Sequence, residues 1–308
     1  MMDDQRFPHL APEAVRLLDA SAAARFSLIE RDKVIETQRF QFGTGRMEEL
    51  YGHARIGRPP NLLAYGPSGI GKSHMIDAVV ARHPIRRNRA TGELIVPIAQ
   101  MEFPPDPDRR WFAKELALAL GYHTALPRDS ADVFALLLRR LYEARTRLII
   151  CEEIGNLPTF RYREVQEFYG MTRWISNQSK IPIVYTGTDA ALGLIEGDVQ
   201  IARRFERLAL TPWEPNAEFA GFVKAYLRFI PLREPTVCDR EFITKLHQAS
   251  GGITDSVVKI LNRAAKRAIQ GGADRLTSTD IRQDADLPPP TVTGRTCLLY
   301  TSDAADEG

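Results

Sequence analysis

Asn61-Leu62-Leu63-Ala64-Tyr65-Gly66-Pro67-Ser68-Gly69-Ile70-Gly71-Lys72-Ser73-His74-Met75-Ile76-Asp77 is the stretch that decides the fold of this 308-residue chain. Leu62 to Tyr65 is an apolar run long enough for one buried strand. Gly66 to Ser73 matches G-x-x-x-x-G-K-[ST], and a helical segment follows as far as Pro84. Gly66, Gly69 and Gly71 let the backbone curl so that successive N–H groups point inward onto phosphate oxygens. The start of the helix adds its partial positive charge. In this motif Lys72 reaches the β- and γ-phosphates, and the Ser73 hydroxyl binds magnesium. The expected ligands are ATP and Mg2+, held by Gly66, Pro67, Ser68, Gly69, Ile70, Gly71, Lys72, Ser73 and His74.

Working outward, composition sets the bounds. Hydrophobic residues make up 44% and charged residues 26%, as in ordinary globular proteins. The net charge of +2 gives no global basic field, so nucleic-acid binding has to come from local patches. Cys151, Cys238 and Cys297 are far apart, which gives neither a disulfide framework nor a zinc signature and suits a reducing cytoplasm. The start, MMDDQRFPHL, lacks the apolar segment of a secretory signal, and no apolar run approaches a membrane span. No membrane partner is expected.

Residues 1–58 are expected to be a helical N-terminal appendage packed on the core. It comprises one helix from Pro12 to Arg31 and a second stretch broken at Gly43–Gly45 and resumed at Met47–Tyr51. Residues 59–213 alternate strands and helices. After Leu62–Tyr65 come an Arg86–Arg89 basic turn, a strand over Leu94–Met101, and helices over Arg109–Gly121 and Val133–Arg145. A strand over Arg147–Glu153, a helix over Tyr162–Gln178, and strands over Ile181–Thr188 and Glu206–Thr211 complete it. Such alternation implies an α/β fold with a parallel sheet covered on both faces. A strand lies in sequence between the phosphate-loop strand and the acidic strand. That order resembles the P-loop NTPases with an inserted strand, among them the AAA+ ATPases. From 214 to 287 only helices are expected (Glu218–Arg228, Arg240–Ser250, Asp255–Gln270 and a short turn at Ser278–Asp284), which resembles the AAA+ helical lid. Residues 288–308 form a tail. Its piece CLLYTSDAADE looks like translated adapter sequence, and residues 291–308 carry no functional argument.

Hydrolysis needs a carboxylate near magnesium and a base for the attacking water. Glu152 and Glu153 end a buried apolar strand, where ligands bind in open α/β sheets. The usual first acid is Asp. Glu152 is longer by a methylene, which moves its carboxylate by about a bond length at a metal that demands tight octahedral geometry. Glu153 has the type expected of the base. Thr186 and Thr188 end the next strand, and Thr188 is the preferred sensor of the γ-phosphate or the water. Arg203-Arg204-Phe205 resembles the AAA+ arginine finger, which enters a neighbouring subunit's site; Arg204 is preferred and Arg203 is the alternate. A second, lid-borne sensor arginine is missing after Gly251-Gly252, where Asp255 reads as a helix N-cap. For DNA phosphates, Arg109, Arg110 and Lys114 rank first, the turn with Arg86, Arg87 and Arg89 second, and the lid face of Lys259, Arg263, Lys266 and Arg267 last.

RPPNLLAYGPSGIGKSHMID, EFPPDPDRRWFAKELALALG, LIICEEIGNL, and YTGTDAAL followed by ARRFERLALTPW together resemble the TniB/TnsC type of transposition ATPase, over roughly residues 7–285. IETQRFQFGTG resembles the stretch that precedes the phosphate loop in that family. The resemblance implies an AAA+ regulator that binds ATP, polymerises as a ring or filament on double-stranded DNA, and bridges a transposase to a target-selection protein. Hydrolysis would then disassemble the oligomer. Lys72, Ser73, Glu153 and Arg204 match family positions, whereas Glu152 departs from the usual Asp and bears on the hydrolysis rate. Two rivals use the same residues: a helicase loader or initiator ATPase, and a non-hydrolysing scaffold with ATP as a structural ligand.

Overall fold

The computed structural model describes residues 6–103, 111–154, 162–196 and 205–281. The N-terminal part holds α1 (Pro12–Val15), α2 (Ala22–Glu30) and α3 (Gln38–Tyr51). Then come β1 (Asn61–Tyr65), α4 (Lys72–Arg82), β2 (Arg86–Arg87), β3 (Leu94–Ile95) and β4 (Ile98–Glu102). They are followed by α5 (Trp111–Ala119), α6 (Ser130–Glu143), β5 (Leu148–Glu152) and α7 (Tyr162–Ser179). After these come β6 (Ile183–Gly187), α8 (Asp189–Glu196) and β7 (Phe205–Ala209). The C-terminal helices are α9 (Ala217–Leu227), α10 (Arg240–Ser250) and α11 (Thr254–Gln270).

Five strands form one parallel sheet in the order β4-β5-β6-β1-β7. β6 therefore separates the phosphate-loop strand from the acidic strand, the inserted-strand arrangement that the sequence order implies. Both faces are covered, and the strands alternate between them with period two. Leu62, Ala64, Leu148, Ile150 and Val184 join the cluster under α3 and α4. Leu63, Ile149, Cys151, Ile183 and Tyr185 join the cluster under α5, α6 and α7. This double burial explains why β5 reads as a nearly unbroken apolar run. A third cluster unites α9, α10 and α11.

Several expected boundaries change. The single helix over Pro12–Arg31 is two, because Ser21 takes up an extended backbone and its hydroxyl accepts the N–H of Ala24, starting α2 afresh. The expected break at Gly43–Gly45 does not occur, and α3 runs through it. Gly43 lies where α3 packs on α4, and a Cβ there would come 2.7 Å from Met75 Sδ, so the glycine permits close approach. Leu94–Met101 is two strands because Pro97 has no N–H for a ladder. Val96 instead donates to Ala144 O at 2.8 Å, and Pro97 O accepts from Arg147 N at 2.8 Å. Leu94–Ile95 pairs antiparallel with Arg86–Arg87, so the expected basic turn opens a short hairpin. A turn is present at 278–280; residues 282–284 and the tail lie outside the described residues.

The N-terminal segment is shared between the layers. Phe40, Met47 and Leu50 of α3 pack against the sheet side, whereas Ile29 of α2 belongs to the C-terminal helical cluster. Buried Arg25 donates through Nε to Pro231 O at 3.0 Å and pairs with Asp274, and Arg233 pairs with Asp19 at 2.7 Å. Ala11 N donates to Arg228 O at 2.7 Å. The chain thus crosses between the sheet and the C-terminal helices twice, at 31–37 and at 210–216.

Candidate active site

β1 lies between β6 and β7 in the sheet, and the loop leaves it through a tight exit. Gly66 N donates to Gly187 O at 3.2 Å, and Leu210 N donates to Tyr65 O at 2.8 Å. Gly66 has φ +153, and a Cβ on it would lie 2.1 Å from Leu210 O, so only glycine fits. Gly71, with φ +111, stands at the N-cap of α4, and no side chain caps that helix. By contrast Ser21, Thr37, Asp129, Asn216 and Asp239 cap α2, α3, α6, α9 and α10 with their side chains. The first N–H groups of α4 are left for an anion.

Lys72 is buried, and its Nζ donates to Gly66 O at 2.9 Å and Pro67 O at 3.1 Å. Burial pushes its ammonium below the ordinary lysine value, opposed by the charges of Glu153 and Asp189. A cation so poorly solvated gains strongly from a phosphate.

Both acids stand over this loop, each held by a neighbouring strand. Glu152 Oε1 accepts from Gln100 Nε2 of β4 at 2.7 Å, and the nearby Ser73 hydroxyl favours its charged form. Glu153 has φ +57, a left-handed backbone unusual for a glutamate, and its N–H donates to Thr186 Oγ1 at 3.2 Å. Thr186 is buried at the end of β6, while Thr188 is half-buried just beyond it. Thr186 thus fixes the backbone that carries Glu153. With Glu153 as the proposed general base, Thr186→Val is expected to lower turnover about tenfold, a part of the roughly 10²- to 10⁴-fold that a positioned base contributes, with nucleotide affinity unchanged. Phosphate-release kinetics beside equilibrium ATP binding check this.

Burial is the main reason that the Glu152 carboxyl is pushed above its ordinary value; the hydrogen bonds from Gln100 and Ser73 oppose it, and the charges of Asp77 and Glu153 add to it. A carboxyl with a folded pKa above the unfolded one contributes stability below the unfolded pKa, and that contribution is lost as pH rises through the folded pKa. The ionised form therefore costs stability at neutral pH. Glu152→Gln is expected to raise Tm at pH 7.5 and to leave it unchanged at pH 4, as thermal melts at the two pH values would show.

Ser73 and Glu152 are hard oxygen donors close enough for the hydroxyl to act on the carboxyl. No group of three or more His, Cys, Asp or Glu among the described residues is built to cage a metal. That donor set fits a cation such as Mg2+, which takes one or two protein oxygens and completes its shell with phosphates and water.

Beside the loop lies a cavity of about 360 Å³. Gly69 to Ser73 and Glu153 line its polar end; Val34, Ile35, Tyr226, Val258 and Asn262 line the other. An anion-binding end joined to a partly apolar slot suits a nucleoside polyphosphate. The C-terminal helices dock directly on the loop: Asp255 N donates to Gly69 O at 2.9 Å, and Thr254 Oγ1 donates to Ile70 O at 3.1 Å. Trp213 Nε1 donates to Thr254 Oγ1 at 3.0 Å, and the Arg39 guanidinium stacks 3.8 Å over the Trp213 ring. Asp255 is not an N-cap. Ile253 occupies that position, the Asp255 N–H is taken by the loop, and its carboxylate pairs with Lys259 at 2.7 Å.

Sequence reasoning missed the segment 31–37 and Tyr226, Val258 and Asn262, which carry no motif. The basic patches are not gathered. Lys114 is exposed on the first turn of α5, at the phosphate-loop end of the sheet, whereas exposed Arg86 and Arg87 follow the far end of α4. Lys259 and Lys266 are engaged with Asp255 and Glu30. Arg109, Arg110, Arg203 and Arg204 lie outside the described residues.

Comparison with known proteins adds the family. The family model described as "Bacterial TniB protein" matches residues 25–215. No curated protein sequence matches. Among solved structures, the chain is similar to the Aeropyrum pernix ORC2 protein in ADPNP–ADP complexes (TM-score 0.59, 16% identity, covering 83% of this chain and 70% of that one). It is similar to Pyrobaculum aerophilum Cdc6p (TM-score 0.58, 14% identity, 83% and 69%). It is also similar to the Aeropyrum pernix ORC1 protein in complex with DNA (TM-score 0.57, 21% identity, 83% and 67%). With the inserted-strand sheet, the phosphate loop and the C-terminal helices in place, the chain belongs to the bacterial TniB family and has the P-loop AAA+ ATPase fold.

Proposed function

We propose that this protein is an ATP-dependent switch that assembles on double-stranded DNA and links a transposase to a target-selection partner, with hydrolysis releasing the assembly. The observation that carries the nucleotide half is the uncapped start of α4 opening, beside Lys72 and Glu153, into a cavity that Val34, Ile35, Tyr226 and Val258 also line. The family match and the likeness to a protein solved with DNA support the DNA half.

The α4 N–H groups and Lys72 bind and orient the triphosphate. Ser73 and Glu152 would hold a magnesium ion, which when bound would supply charge neutralisation at the phosphates. Glu153 takes a proton from the attacking water, its backbone fixed by Thr186. Thr188 is the proposed contact to the γ-phosphate. The polar groups of the 31–37 segment and Asn262 position the base end.

Arg204 is proposed to act in a neighbouring copy. Its chain neighbour Phe205 is in register with Asn61 at the start of β1. Gly66 follows β1 at the other end, about 17 Å away at the usual rise per residue. The described start of β7 thus lies far from the phosphate loop of its own chain, which supports a role for the preceding arginine in a neighbour's site. ATP occupancy would then favour a ring or filament, which aligns basic residues such as Lys114 along a phosphate backbone. The separation of Lys114 from Arg86 and Arg87 favours one of these patches as the DNA-facing surface in any one copy.

Steady-state phosphate release with and without duplex DNA tests the proposal. Turnover stimulated by DNA is expected. A chain that binds ATP but never releases phosphate, with or without DNA, would replace the switch with a static scaffold.

A further inference from the structure

Glu152 is one methylene longer than the aspartate usual at its position, and a residue on the adjacent strand meets the extra length. β4 and β5 run parallel with Gln100 opposite Ile150 and Glu102 opposite Glu152. Gln100 and Glu152 thus share a sheet face as diagonal neighbours, within reach of long side chains. The Gln100 amide donates from Nε2 to Glu152 Oε1 at 2.7 Å. From α4, the Ser73 hydroxyl favours the charged carboxylate, while the charges of Asp77 on α4 and of Glu153 just past β5 oppose it. A glutamate with three side-chain torsions, pushed by two like charges, has reason to swing away from Ser73. The amide opposes that swing.

We propose that Gln100 is a positioning residue: it grips the longer carboxylate of Glu152 and holds it against Ser73, in the arrangement a phosphate-bound divalent cation needs. This deepens the nucleotide reading above and rests on it. The tether and the glutamate form a unit. An aspartate at 152 would set its carboxylate back by about a bond length and out of the amide's best reach, so Gln100 would then have nothing to hold.

The unit is tested by a double-mutant cycle read as binding rather than turnover. A fluorescent ATP analogue is titrated into the full chain at a series of Mg2+ concentrations and in EDTA, for the unaltered protein, Gln100→Ala, Glu152→Asp and the double variant. Gln100→Ala is expected to raise the Mg2+ concentration for half-maximal binding about tenfold, as loss of an outer partner of a metal ligand does, with binding in EDTA and Tm unchanged. In the Glu152→Asp background the same change is expected to shift that concentration less than about twofold, the margin of independent sites. Gln100→Glu, which keeps the size and reverses the donor, is expected to exceed the alanine effect. An unchanged Mg2+ dependence in Gln100→Ala, or an equal loss in both backgrounds, would overturn the tether alone. An unaltered chain that binds no nucleotide with or without Mg2+ would overturn the tether together with the nucleotide reading.

Discussion

Replacing Lys72 with alanine is expected to weaken ATP binding by about 30- to 150-fold and to abolish ATP-dependent assembly on DNA. The figure follows from the roughly 2–3 kcal/mol of a hydrogen bond to a charged group. Lys72 Nζ lies against the carbonyls of Gly66 and Pro67, buried and short of solvent, so it meets phosphate oxygens with little left to desolvate. Alanine keeps the helix start, because it is the best helix former, and α4 remains anchored by buried Met75, Ile76 and Val79. A thermal melt beside the binding titration separates a lost contact from a lost fold. A Lys72→Ala protein that still assembles on duplex DNA in response to ATP would defeat the switch.

Glu153→Gln should act on the other half of the cycle. Loss of a positioned general base lowers turnover by about 10²- to 10⁴-fold. The substitution is nearly isosteric. The Thr186 hydrogen bond goes to the backbone N–H, which glutamine retains, so the left-handed backbone at φ +57 should persist. ATP affinity is expected to stay within about twofold, the additivity margin of uncoupled changes, and assembled protein should accumulate on DNA because release is blocked. Quenched-flow phosphate release beside a DNA-pelleting assay reads both effects. Unimpaired turnover would move the base elsewhere.

The core was legible because its signals are local. Leu62–Tyr65 followed by Gly66–Ser73 names a strand, a turn that demands glycine and a helix start, and all three stand where the residues put them. The apolar run before Glu152 also reads directly as a strand buried on both faces. Chain punctuation read less well. Gly43 and Gly45 look like breakers in a one-dimensional string, yet Gly43 serves close packing against Met75. Pro97 hid inside a β-rich run and divided it. Ser21 turned one periodic stretch into two helices.

The candidate site divides the same way. Its phosphate end follows from a contiguous motif. Its far end is assembled from the 31–37 crossing, α9 and α11, which lie up to some two hundred positions apart and share only ordinary residue types such as Val34, Tyr226 and Asn262. Gln100, which holds Glu152, is equally silent in sequence, and Thr186 reads there only as the lesser sensor candidate, because both roles arise from the registers of β4 and β6 beside β5. Asp255 shows the reverse error: a residue type suited to capping was displaced from that role when the loop carbonyl of Gly69 claimed its N–H.

Calorimetric titration of ATP into the purified full chain with Mg2+ tests the central claim most directly. One saturable site per chain is predicted, weakened in Lys72→Ala and retained in Glu153→Gln. No binding by the unaltered chain would contradict the nucleotide site, and with it the assembly and the DNA switch built on that site.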